Sequence, residues 1–154
     1  MRPHELVSIA SMLPIAFVLA FTAGCSPTPY PARPEQMAVA QTFDPPPAGS
    51  GRVYVFRSGR PIMACTGLMD DVDIVLGTDS FAVWEVDAGV HTFTMYCGYD
   101  NYGLQLTIED GGLYFVDATF SSTNNLVMAS EYYGRRAVGA RKSMAINKRQ
   151  YYTR

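Results

Sequence analysis

Charge is scarce in this chain: 17% of its 154 residues are Asp, Glu, Lys or Arg, and the net charge is −2. A globally basic surface, the electrostatic footprint of nucleic-acid binding, is therefore excluded. Histidine is scarcer, with two, and cysteine is limited to three. So few ligands leave little material for a metal cluster. A phosphate-cradling glycine loop is missing too: Gly111-Gly112 follows Glu109-Asp110, two acids that would repel a phosphate. Neither a metal nor a cofactor is expected. Also lacking is any sustained 3.6-residue apolar period, so the sequence predicts no helix in its globular part. Apolar residues are not lacking, at 48%, with 12% aromatics; one core can be built, and wholly disordered, collagen-like and coiled-coil readings are out.

The start of the chain is an address. Arg2 and the terminal amine precede a mostly apolar stretch from Leu6 to Phe21, interrupted by Ser8, Ser11 and Pro14, which ends in Thr22-Ala23-Gly24-Cys25. A positive start, a short apolar run and small residues before a cut site describe a secretory signal; a spanning helix needs ~20 apolar residues. With Cys25 behind Ala23-Gly24, the segment resembles the bacterial lipoprotein signal. The resemblance implies removal of residues 1–24, lipidation of Cys25, and, because Ser26 rather than Asp follows, an outer-membrane protein facing the periplasm. An ordinary signal peptide with a chance cysteine and an uncleaved anchor are the alternatives.

Residues 25–51 hold seven prolines, from Pro27 to Pro47. Proline fixes φ and removes a donor, so this stretch is expected to be an extended, coreless tether. From Arg52 the texture changes. Arg52-Val-Tyr-Val-Phe-Arg57 is β-branched, aromatic and apolar on both faces, which suits a central strand. Runs at Val72–Leu76, Ser80–Val86, His91–Cys97, Leu104–Ile108 and Leu113–Phe120 follow, with a weaker one at Leu126–Tyr132. Turn signals separate them, among them Gly77-Thr-Asp79, Asp87-Ala-Gly89 and Asp110-Gly-Gly112. Six or seven short strands predict an all-β fold: a small antiparallel β-sandwich over residues 52–131, followed by a basic tail at 132–154.

The strand-and-turn pattern carries a resemblance. Arg52-Val-Tyr-Val-Phe-Arg57 with Gly59-Arg60-Pro61, then Asp87-Ala-Gly89-Val-His91-Thr-Phe93, then Gly111-Gly-Leu-Tyr114, is similar to the bacterial family called domain of unknown function 2846, many of whose members are small lipoproteins. Ala88 stands where that family has proline. The resemblance spans roughly Gly51 to Ser121. It implies a small sandwich in the cell envelope and supplies no reaction.

Chemistry-bearing residues are few. After cleavage His91 is the only histidine, and a general base needs a nucleophile and an orienting group beside it; a packing or turn-bonding role is the expectation. Asp70, Asp71, Asp73 and Asp79 gather oxygens, but the EF-hand spacing is absent. With Cys25 lipidated, Cys65 and Cys97 remain in an oxidising compartment and are expected to pair. Tyr96, Tyr99 and Tyr102 are candidates for an exposed aromatic groove. Charge is unevenly placed: residues 51–131 carry three bases against eleven acids, whereas residues 132–154 carry seven bases and no acid. Arg135, Arg136, Arg141, Lys142, Lys148 and Arg149 are therefore candidates for gripping an anionic envelope partner; a solvated tail, or one lying on its own acidic domain, is the alternative. The sequence thus predicts a non-enzymatic, membrane-anchored envelope lipoprotein that binds or scaffolds an envelope protein, peptidoglycan or an anionic surface. The alternative is a carrier or sensor with an aromatic groove for a small ligand or glycan.

Overall fold

A computed structural model describes residues 29–58, 63–120 and 125–152. Cys25, residues 1–24 and the Gly59-Arg60-Pro61 turn lie outside the described residues. The chain forms two stacked sheets. The organising strand is β2 (Ser50–Phe56), in which Val53, Tyr54, Val55 and Phe56 have no exposed surface. It lies between β5 (Ser80–Asp87), antiparallel, and β8 (Leu113–Asp117), parallel. Around that trio the larger sheet has six strands in the order β1-β10-β5-β2-β8-β9, with β1 at Tyr30–Pro31, β9 at Val127–Ala129 and β10 at Ser143–Ile146. The smaller sheet has the order β4-β3-β6-β7: β3 (Cys65–Met69), β4 (Val72–Leu76), β6 (Gly89–Cys97) and β7 (Asp100–Ile108). Its pairings are all antiparallel. The expected sandwich is present.

Alternation along β2 explains the layering. Val53 and Val55 face the smaller sheet and join Trp84, Phe93, Met95, Leu106 and Ile108 between the two sheets. Tyr54 and Phe56 face the other way, where Phe81 and Phe115 form a second apolar layer. That layer must be covered, and segments expected to lack a core cover it. The Pro-rich stretch is no tether over its described residues. Tyr30–Pro31 pairs with β10, and α1 (Pro34–Ala40) lies on the second layer through Ala40. Proline is tolerated at the first helical position, and the Gln36 side chain accepts from the Arg33 N–H (2.9 Å) to close the helix start. The Tyr54 hydroxyl donates to the Ala40 carbonyl (3.0 Å) and ties the helix end to the sheet.

The tail is likewise part of the domain. Helix α2 (Glu131–Gly139) buries Gly134, Ala137 and Val138, and β10 runs parallel to β5 and buries Ala145 and Ile146. A short helix, α3 (Lys148–Tyr152), follows. The helices escaped the period test because they bury small residues. Gly134 is the clearest case: a Cβ added there would overlap the Phe115 ring. Strand β3, also unforeseen, holds Gly67, against which the Trp84 and Phe93 rings pack; an added Cβ would sit 3.0 Å from each.

Cys65 and Cys97 form a disulfide, as expected. They face each other across β3 and β6, and their Cα separation of 4.5 Å is that of a non-hydrogen-bonded antiparallel pair. The bridge closes a loop of sequence separation 32, so replacing both cysteines by alanine should lower the unfolding free energy by about 3–4 kcal/mol on the chain-entropy model. Urea unfolding of the oxidised protein and the double variant measures it. Gly134→Ala should also destabilise, by about 1–3 kcal/mol, because overlap with Phe115 outweighs the roughly 1 kcal/mol gain in helix propensity. Gly139→Ala, with nothing near its added carbon, should be neutral or mildly stabilising in the same assay.

Candidate functional site

The sequence candidates separate in space. Met95 of β6 lies directly opposite Tyr102 of β7, and Tyr96 opposite Asn101. Tyr96 and Tyr102 therefore point to opposite faces of the smaller sheet. Tyr102 packs on the core and against the Phe120 ring (4.4 Å), while Tyr96 is half exposed and Tyr99 fully so. The three line no common groove. The acids disperse too. Asp70 engages His91 and Asp79 engages Arg141. Among the described residues no three His, Cys, Asp or Glu side chains gather as metal ligands would.

His91 is a strut between turns. Its Nδ1 lies 3.0 Å from Asp70 Oδ1, in the tight turn joining β3 and β4, and its Nε2 lies 2.8 Å from the Asp87 carbonyl, at the turn joining β5 and β6. Both partners accept, so the doubly protonated ring satisfies both contacts. The Asp70 carboxylate, helped by the Asp87 carbonyl, raises the His91 pKa above 6.5.

Three arginines of the basic segment have partners, some within α2 and some across the domain. Arg141 pairs with Asp79 at 2.7 Å. Arg135 pairs with Glu131, also at 2.7 Å, and its guanidinium lies 5.0 Å from the Phe43 ring centre. Among the described residues Arg136 meets a neutral partner, Tyr132, with Nη1 3.4 Å from its hydroxyl. Among the described residues no carboxylate lies within ion-pairing distance of Arg136. Lys142, Lys148 and Arg149 are exposed, beyond the end of α2 and on α3.

Arg136 and Arg141 meet at a pocket of about 360 Å³, open to solvent and completed by Ser58, Tyr133 and Ala137. Local structure sets each position. Ser58 continues the row of Tyr54 and Phe56 off the end of β2, toward α2. Tyr133, Arg136 and Ala137, three and four positions apart, share one helix face. Ser130 starts the helix by accepting from the Tyr133 N–H (3.4 Å). At its other end Gln41 Nε2 donates to the carbonyls of Val138 (3.0 Å) and Arg141 (3.2 Å), so α1 fixes where the second arginine emerges. Arg141 Nε, shielded from water, finds no acceptor among the described residues. The Tyr133 ring, half exposed, rests edge-on against Phe56 at 5.9 Å. The two arginines were legible as charges. Ser58 was not, since its place beside them depends on α2. No protein-family model and no curated protein matches the chain.

Protonated His91 stabilises the folded state below its unfolded pKa, near 6.5. That contribution is lost as pH rises through the higher folded value. His91→Gln should therefore cost more stability at pH 6 than at pH 9, as read from paired denaturation curves. An equal cost at both values would show that the charge is not what the strut uses.

Proposed function

We propose that this protein is an exported, lipid-anchored envelope domain that binds rather than catalyses. The observation that carries the reading is the Cys65–Cys97 disulfide in the core of a domain whose chain starts with an export-like segment. Structural disulfides persist in oxidising compartments such as the periplasm and are rare in the cytosol. The Ala23-Gly24-Cys25 box supplies the anchor, and a lipid-modified cysteine carrying two or more acyl chains holds stably where one chain does not. The likeness to domain of unknown function 2846 supports the same placement. The binding reading is supported by the way the domain uses its reactive groups. His91 braces two turns, and the cysteines of the core are bonded to each other. A surface open to a partner is the α2 side, where Arg136 and Arg141 border a pocket.

The anchor is tested at Cys25. Cys25→Ser should leave the precursor unprocessed by the lipoprotein peptidase and without label from radioactive palmitate. Equal label and unchanged processing in the variant would overturn the reading.

A further inference from the structure

The pocket between the end of β2 and α2 has a composition with a chemical meaning. Among the described residues its lining contains two guanidinium groups and no carboxylate. Asp79 neutralises Arg141 from outside and, at 2.7 Å, fixes its position. Arg136, at the solvent edge, has no carboxylate partner among the described residues, and its guanidinium lies 5.7 Å from the centre of the Tyr132 ring. A pre-positioned arginine beside a second one suits an oxyanion, because the planar fork matches carboxylate and phosphate oxygens. The helix dipole does not oppose this strongly. Val138, whose carbonyl would be an orphan at the C-terminal end, accepts from both Gln41 Nε2 and the Arg141 N–H.

The remaining lining narrows the ligand. Tyr133 offers a half-exposed ring, Ala137 a small apolar floor and Ser58 a hydroxyl. Ser58 Oγ is already 2.7 Å from Thr119 Oγ1, and that hydroxyl contact fixes its rotamer. An aromatic face beside a hydroxyl and paired arginines fits a sugar ring: C–H edges lie on the ring and the acid reaches the guanidiniums. The volume is of single-ligand size, and the open mouth lets a longer chain continue into solvent. We infer that this pocket binds one acidic sugar unit, bearing a carboxylate or a phosphate, with Arg136 as the main charge contact. The inference deepens the binding reading above but does not depend on lipidation of Cys25.

The test uses the purified full chain in a non-ionic detergent. Glucuronate, glucose 1-phosphate and neutral methyl glucoside are titrated separately by calorimetry. Both acidic sugars should bind, more weakly as salt rises, and the neutral sugar should not. The split between the two acids tells carboxylate from phosphate. Arg136→Ala and Arg136→Gln, the second keeping the stem on Tyr132, should each weaken binding about tenfold or more, the scale of a charged hydrogen bond. Lys148→Ala, on α3, should bind as the parent does. Thermal melts of each variant establish that it folds. Equal binding by both Arg136 variants, equal binding of the neutral sugar, or no saturation by either acid at about 10 mM would overturn the inference. Vesicles containing phosphatidylglycerol form a parallel arm. Retention on them that depends on Arg136, with no acidic sugar bound, would also overturn it and point to a membrane contact instead.

Discussion

Four successive side chains with no exposed surface need cover on both faces of the sheet, and Val53 to Phe56 of β2 impose that demand on the rest of the molecule. Val53 and Val55 are satisfied by the smaller sheet, Tyr54 and Phe56 by the helices. Full burial of a side chain of this kind stabilises by roughly 1.5–3 kcal/mol, so leaving one face wet would cost several times that. A two-sheet sandwich alone covers one face. The second apolar layer, with Phe81 and Phe115, is what recruits both ends of the chain: α1 from the Pro-rich segment and α2 from the basic segment. Helix on sheet on sheet follows from a seven-residue strand.

Strands with strong alternation or aromatic content could be read directly from the sequence. β2, β4, β5, β6, β7 and β8 fall where the runs predict them, and β6 and β7 continue beyond the predicted starts to Gly89 and Asp100. Elements that make contact through the absence of a side chain were not legible. Gly67 in β3 and Gly134 in α2 are where neighbouring rings approach the backbone, and a hydrophobicity pattern has nothing to register there. Proline misled in the other direction. Seven of them in 25–51 suggested an extended tether, yet Pro34 sits in the first turn of a helix, where no intrahelical partner waits for an N–H, and Pro31 lies on an edge strand. The disulfide was legible from the parity of the cysteines and the compartment that the export-like segment led us to expect. The pocket was only half legible, because its arginines lie on an element whose existence the sequence concealed.

The dipolar charge distribution has a structural resolution. Arg141 reaches Asp79 across 62 positions of sequence, and Arg135 takes Glu131 one turn away. Exposed pairs of this sort are worth up to about 1 kcal/mol each, too little to hold β10 in the sheet without Ala145 and Ile146. Their effect is orientation: they choose which bases lie against the domain and which face outward. Of the two readings the sequence left open for these bases, a grip on an anionic partner or a tail lying on its own acidic domain, the Arg141–Asp79 pair belongs to the second. His91 performs the same kind of work on the far side, joining two turns through two acceptors.

Docking of Tyr30–Pro31 onto β10 shortens the leash. A tether running from Cys25 to Arg52 would let the domain roam through about 90 Å of contour. With the first pairing already at Tyr30, five Cα steps separate the sheet edge from Cys25, a reach of about 18 Å at full extension. A lipid on Cys25 would then hold the domain against the headgroups rather than letting it sample the space between membrane and cell wall.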